Sequence, residues 1–333
     1  MTDPDPHVGT GTGVASRDAK EVMAGGIGQG ADPTALTSIY ESGLEIKARS
    51  QWAYARRRFF RHRLAMVSLI LLLVIFGAGA FANVVAPYKY DAINLLDQNS
   101  EPTFHHKHFF GTDQIGRDYF TRVVYGIRTT ERVALLVAIL STAIGAAIGS
   151  VAGYFGGWID NVLMRFTDLM LTLPTLAVLL TAAALLGNGS PYRVAIILAL
   201  LFWTQLARIV RGVFLSLREK EYIEAAKASG SGDFRIILRH MLPNAMGPIV
   251  VNATLIVAAA ILTEAVLSFL GFGIQPPTPA LGVLISTGQD QMLTAWWLVT
   301  MPGLVIVLIV LCINFVGDGL RDALDPTQRR IRA

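Results

Sequence analysis

The sequence predicts an all-α polytopic membrane protein with about six transmembrane helices. Apolar residues make up 53% of the 333 and charged residues only 16%, and the mean hydropathy is +0.50. Both values are extreme for a soluble domain of this length. The distribution of charge is the stronger observation: stretches of roughly twenty residues carry almost none, while the pieces between them are dense in Arg, Lys, Asp and Glu. The single cysteine, Cys312, lies in an apolar run, which excludes an internal disulfide framework and a thiolate zinc cluster and leaves it the role of a small hydrophobe.

Residues 1–50 are rich in Gly, Ala, Asp, Ser and Thr without periodicity, and are expected to form a disordered cytoplasmic arm. They do not read as a signal peptide, because the first long apolar run begins only at Leu64. Residues 51–63, QWAYARRRFFRHR, mix aromatic with basic side chains, a combination suited to the headgroup region, and predict an interfacial helix. Residues 64–85 form the first span, about 33 Å of helix for a hydrocarbon core of about 30 Å. Residues 86–131 are polar and of mixed charge, and predict an external loop.

The remaining core, 132–316, holds five further spans. The second covers about 132–153, with Gly145, Gly149 and Gly153 four residues apart in a stripe that permits close helix packing. The third covers about 162–186, the fourth 191–210, the fifth 246–272 and the sixth 295–316. Residues 211–245 form a basic segment inside this core, and 317–333 a tail.

Orientation follows from lysine and arginine. Nine precede the first span, six lie between the fourth and fifth (Arg211, Arg218, Lys220, Lys227, Arg235, Arg239), and the tail adds Arg321, Arg329, Arg330 and Arg332. Residues 273–294 carry none. The positive-inside rule therefore predicts cytoplasmic termini and a cell-membrane location. Lys89, Lys107, Arg117, Arg122 and Arg128 in the first external loop run against the trend.

No residue set has the form of an enzyme site. The glycines at 26, 28 and 30 lack a preceding strand and a Gly-Lys-Ser/Thr ending, so nucleotide binding by this chain is not expected. His105, His106 and His108 in the first loop offer a weak metal possibility beside the plainer reading of a wet polar patch. The basic residues cluster at the ends of apolar spans, which argues against nucleic acid as a partner.

The most informative stretch is 218–244, REKEYIEAAKASGSGDFRIILRHMLPN. Tyr222, Ala225, Ala226 and Ser229 recur at i, i+3, i+4, i+7 and give a helix with a small-residue face. Gly230 to Gly232 permit a sharp turn. Phe234, Ile237, Leu238 and Met241 repeat the spacing with larger side chains, and Pro243 is expected to stop the second helix. Two short helices joined at a glycine corner predict a cytoplasmic knob, with an interfacial helix lying on lipid as the alternative.

Glu224, Ala225 and Ala226, then Gly230, then Met241, Leu242 and Pro243 resemble the EAA signature of binding-protein-dependent ABC importer permeases. Further motifs are similar to the C-type subunit of the dipeptide, oligopeptide and nickel subfamily. These are Phe110 to Asp118 with Thr112, Asp113 and Arg117; Arg165, Asp168 and Pro174; Ser268 to Gly273; and Asn314 to Pro326. The resemblance spans about residues 55–327. It implies the type I permease fold of ABC importers, half of a translocation pore for peptides, and no catalysis or cofactor in this chain. ATP and Mg2+ would be used by two partner ATPase subunits. A homologous B-type permease and an extracytoplasmic substrate-binding protein complete the implied partners, beside the bilayer.

In that family the EAA segment couples to the ATPase, so the resemblance assigns coupling to Tyr222, Glu224, Ala225, Ala226, Gly230, Phe234, Met241, Leu242 and Pro243. It places Thr112, Asp113, Arg117 and Asp118 near the outer gate; the residues alone are equally consistent with a capped, salt-bridged loop. Gln205, Asn252 and Glu264 are polar groups at membrane depth, where an ionisable side chain needs protein or water around it. Arg165 and Asp168, at i and i+3, are expected to pair. Nickel import is the rival within the family, and an ion-coupled secondary carrier the rival outside it. The carrier reading lacks an evident inverted repeat and a coupling acid beyond Glu264.

Overall fold

The computed structural model describes residues 51–104, 107–187 and 189–324; the arm at 1–50 and the last residues of the tail lie outside them. Among the described residues the secondary structure is helical, with two isolated bridges, Thr112 to Asp118 and Gly189 to Ile274. Five helices are long and apolar enough to cross a membrane, and six if one bent pair counts as a single span.

Helix α1 (Gln51–Phe59) leads into α2 (Arg63–Ala80) and a short α3 (Ala82–Val85). The His62 ring caps α2 by accepting from the Ala65 amide at 3.1 Å, one of the free donors that every helix start leaves. Helix α2 buries Ala65, Ser68, Leu72 and Gly79 and exposes Val67, Ile70, Leu73 and Val74, so one stripe faces protein and the other is free to face lipid.

Helix α4 (Tyr119–Phe155) is 37 residues long. Its first thirteen residues fall inside the loop expected to run to 131, because Asp118 caps it by accepting from the Thr121 amide at 2.7 Å. Residues 119–131 thus belong to a helix rather than to the 86–131 loop. Helix α7 (Pro191–Arg218) packs along α4 through the expected glycine stripe. A Cβ on Gly145 would lie 2.7 Å from the Trp203 carbonyl, one on Gly149 would lie 2.8 Å from the Val210 Cβ, and one on Gly153 would lie 2.8 Å from the Arg211 carbonyl. One step earlier, the Ser141 hydroxyl donates to the Ala199 carbonyl at 3.2 Å. Small residues every fourth position let the two backbones touch, which is how helices associate where burial from water no longer drives packing.

The third span is not one straight helix. Helices α5 (Gly157–Thr172) and α6 (Thr175–Leu186) meet at 87°. Pro174 supplies no amide and holds the preceding residue extended, and Leu173 has φ −72° and ψ 135°. Two ion pairs fasten α5 to α7. Arg211 grips Asp160 with Nε and Nη2, both at 2.5 Å, and Arg208 reaches Asp168 at 2.5 Å. The expected Arg165–Asp168 pair is therefore replaced: tertiary packing brings Arg208 to Asp168, and Arg165 is exposed.

Helix α8 (Glu221–Ala228) is followed by α9 (Asp233–Ile236), a π-helical turn at Ile237–Met241, and α10 (Leu242–Phe269). Pro243 does not stop this helix as expected. The wider π turn, Ile237–Met241, leaves Pro243 as the second residue of the following helix, where its missing amide costs little, and lets the chain run on as one helical path. The 273–294 stretch holds α11 (Leu281–Gly288), whose Leu281, Val283 and Leu284 are buried against α4, α10 and α12 (Trp297–Leu324). Helix α12 carries helical structure to Leu324, well into the tail expected from 317.

The chain therefore has two ends. Residues 51–62, the 156–157 turn, residues 219–241 and the end of α12 share one end, where Phe59 and Ala65 pack on Gly319. The 86–118 loop and residues 270–296 share the other.

Candidate functional site

The knob is built by its sequence in a local way. Helix α8 closes with paired backbone bonds, Ser231 N to Ala226 O at 3.1 Å and Gly230 N to Lys227 O at 3.0 Å, and Gly230 at φ +78° takes the left-handed turn they require. A Cβ on Gly230 would meet nothing within 4 Å. Glycine is needed for its dihedral angle, not for space.

Burial divides the knob into an inner and an outer face. Ile223, Ile236, Ile237 and Met241 are buried in the bundle, with Ala226 and Leu242 half-buried against it. Tyr222, Glu224, Ala225, Ser229 and Pro243 are exposed, as are Phe234 at 75% and Leu238 at 45%. The outer face thus exposes the small side chains of Ala225 and Ser229 together with the rings of Tyr222 and Phe234 and the side chain of Glu224. The coupling residues named from the sequence separate accordingly: Met241 and Leu242 anchor the knob, and Tyr222, Glu224, Ala225, Phe234 and Pro243 present themselves outward.

Three groups that sequence reasoning missed meet where the knob leaves the bundle. Tyr154, at the end of α4 and 5% exposed, donates its hydroxyl to Asp233 at 2.6 Å. Lys227 lies 5.2 Å over the same ring, within range of a cation–π attraction. Arg218 donates to the Tyr154 carbonyl at 3.3 Å. The available signal was the aromatic pair Tyr154 and Phe155 between Gly153 and the Gly156–Gly157 turn, which carried no mark of its distant partners.

Of the polar groups at membrane depth, Glu264 on α10 is fully buried. It accepts from Thr130 of α4 at 3.0 Å and from Ser268 at 2.7 Å, and Ser268 in turn accepts from the Ile274 amide at 3.1 Å. This chain of bonds joins two spans and the segment leaving α10. Gln205 is exposed on α7 and Asn252 half-buried on α10. The structure does not bring them together with Glu264 by any hydrogen bond.

At the opposite end, Thr112, Asp113, Arg117 and Asp118 form one framework. Asp113 Oδ1 accepts from the Ile115 and Arg117 amides at 3.1 and 2.9 Å, while Oδ2 receives Arg117 Nε at 2.7 Å and the buried Arg122 at 2.6 Å. The Thr112 hydroxyl donates to the Asp97 carbonyl and accepts from the Ser100 amide at 2.8 Å. Trp297 donates to the Thr112 carbonyl at 3.1 Å, and Tyr119 reaches the Leu298 carbonyl at 2.5 Å. Asp118, besides capping α4, meets His108 Nδ1 at 2.7 Å. That contact, the stacking of Tyr88 on the His108 ring at 5.1 Å, and burial engage this histidine as a structural one; His105 and His106 lie outside the described residues. Among the described residues no group of His, Cys, Asp and Glu is placed to hold a metal.

Two family models match the chain. Residues 145–330 match "binding-protein-dependent transport system inner membrane component", and residues 50–102 match "N-terminal TM domain of oligopeptide transport permease C". The oligopeptide transport system permease protein OppC of Escherichia coli K12 is 41% identical over 290 residues, covering 87% of this chain and 96% of that one. The dipeptide transport system permease protein DppC of Bacillus subtilis 168 is 41% identical over 277 residues, covering 83% and 86%. A solved chain of the MetNI methionine ABC transporter, in an inward facing conformation, aligns with a TM-score of 0.50 at 19% identity over 62% of this chain and 97% of its own. That last likeness concerns the fold alone.

Proposed function

Because the chain belongs to the family of binding-protein-dependent transport system inner membrane components, we propose that it forms one half of the membrane pathway of an ATP-driven peptide importer. The peptide substrate rests on the relatives' names, which divide between oligopeptide and dipeptide transport. A homologous second permease supplies the other half, and an extracytoplasmic binding protein delivers the peptide at the end built from residues 86–118 and 270–296. The knob end faces the cytoplasm, a reading supported by the count of arginines and lysines.

The observation that carries the reading is the outward face of the knob. Tyr222, Glu224, Ala225 and Phe234 are exposed on a helix-turn-helix whose inner face is locked into the bundle. The exposed small residues permit close docking by an ATPase subunit, the exposed rings of Tyr222 and Phe234 offer it apolar surface, and the buried Ile223, Ile236 and Met241 fasten the knob to the spans. ATP binding closes the two ATPase subunits and draws the coupling segments together, and the membrane halves then open outward to receive peptide. Hydrolysis resets them. This chain bonds to neither nucleotide nor Mg2+ in that cycle.

The test is uptake of a labelled peptide and ATP hydrolysis measured together in proteoliposomes holding the whole complex. Glu224→Ala and Gly230→Leu are expected to lower peptide taken up per ATP hydrolysed by roughly tenfold while the complex still assembles, a loss of about 1.4 kcal/mol of coupling. Unchanged uptake per ATP in both variants would overturn the assignment of the knob.

A further inference from the structure

The knob has a mechanical weakness at its corner. Gly230 turns at φ +78° with no atom packed where its Cβ would be, and the outer faces of both limbs are exposed. Burial of Ile223 on one limb and of Ile236, Ile237 and Met241 on the other fastens each limb to the bundle, but apolar burial is non-directional, so the angle at the corner needs a directional contact that spans both limbs.

We infer that Tyr154 is that brace: a positioning residue that ties both limbs of the knob to the end of α4, so that the knob moves as one body with the spans. One side chain touches both limbs. Its ring lies under Lys227 of α8 at 5.2 Å, and its hydroxyl bonds Asp233 at the start of α9 at 2.6 Å. The Gly230 corner lies between those two contacts in sequence.

The other side of the brace is equally anchored. Tyr154 follows Gly153, where α4 lies against the Arg211 carbonyl and Phe214 of α7. Its own carbonyl accepts from Arg218 at 3.3 Å, just before the knob begins. Arg211 in turn grips Asp160 of α5 at 2.5 Å. Displacement of the knob therefore passes through Tyr154 to α4, and through the α4–α7 contact to α7 and α5. The donor is the hydroxyl of Tyr154, a residue 5% exposed at the end of α4, and the acceptor a carboxyl oxygen at 2.6 Å, so the bond fixes the start of α9 from the bundle side.

The inference rests on the docking role proposed for the knob, and the experiment separates the two. In proteoliposomes of the full complex, uptake of a labelled peptide per ATP hydrolysed is measured for Tyr154→Phe, Asp233→Ala and the double variant, with thermal unfolding of each complex recorded in parallel. Tyr154→Phe removes only the hydroxyl, and the ratio is expected to fall by roughly threefold to tenfold. In the Asp233→Ala background the same change is expected to add no further loss, because the bond is already gone. Uptake per ATP at the wild-type level, or losses that multiply independently, would overturn the brace. A lowered unfolding temperature with an unchanged ratio would mark a merely structural contact and overturn it equally. If Tyr154→Phe does not assemble, Lys227→Gln tests the other limb by the same ratio and the same criterion. Gly230→Leu serves as the control: if it too leaves the ratio intact, the docking role of the knob has failed, whereas a loss there with none at Tyr154 overturns the brace alone.

Discussion

Glu264 has no exposed surface, yet both its oxygens are satisfied, one by Thr130 and one by Ser268. Replacing it with alanine strands two buried hydroxyls and opens a hole, and the expected cost is about 2–4 kcal/mol. Glu264→Gln keeps the shape, and its amide can accept from one hydroxyl and donate to the other, so the cost is expected to stay near 1 kcal/mol. Thermal unfolding of the purified complex in detergent distinguishes the two; equal losses would show that charge, and not the bonded shape, is what the site needs. An ionisable group in an apolar run was plain in the sequence. Thr130, 134 positions away, was not, since only the α4–α10 packing brings it there. Asp168 repeats the point: its local neighbour Arg165 was the expected partner, and the structure supplies Arg208 from another helix. Gly116 shows the reverse. It sat in a recognisable motif, but the reason for glycine lies in the Asn94 carbonyl occupying the place of its Cβ, together with φ +73°. Gly116→Ala is expected to destabilise the loop by about 1–3 kcal/mol, read as a lower unfolding temperature.

At the scale of elements, α4 and α7 are parallel neighbours in step, with residues 141, 145, 149 and 153 facing 199, 203, 207 and 211. The glycines of this seam were legible as a stripe, but the helix they pack against was not, because spacing states a need for closeness and names no partner. Gly149→Leu is expected to force the pair apart at a cost of about 1–3 kcal/mol or more, seen as loss of assembled complex on size-exclusion chromatography. The prolines divide by context. Pro174 bends the chain by 87°, whereas Pro243 is absorbed by a π turn. Local rules state what a proline removes; whether the chain breaks depends on the surrounding helices. Helix α11 was hidden for another reason: eight residues are too few for a periodic signal, and its burial is imposed by three longer helices.

For the molecule as a whole, composition and charge distribution were enough to reveal a helical membrane protein of about six spans, and the spans end where the structure's helices end to within a turn or two at most borders. The larger departures, at the start of α4 and the far ends of α7 and α12, lie where polar helical turns extend beyond apolar sequence. The site was legible as a knob and illegible as a braced knob, since Tyr154, Lys227 and Asp233 meet only in three dimensions.

The central claim is that the exposed face of this knob seats on an ATPase subunit and follows its closure. Ala225 is exposed on that face, and the native Cys312 is buried, so Ala225→Cys places one accessible thiol in this chain. Cross-linking from that thiol to the ATPase subunit in membranes, with and without ATP, measures the contact directly. The account predicts a specific cross-linked pair whose yield changes when ATP binds. A thiol that remains free and reacts equally with a small water-soluble reagent in the presence and absence of the ATPase subunits would contradict it.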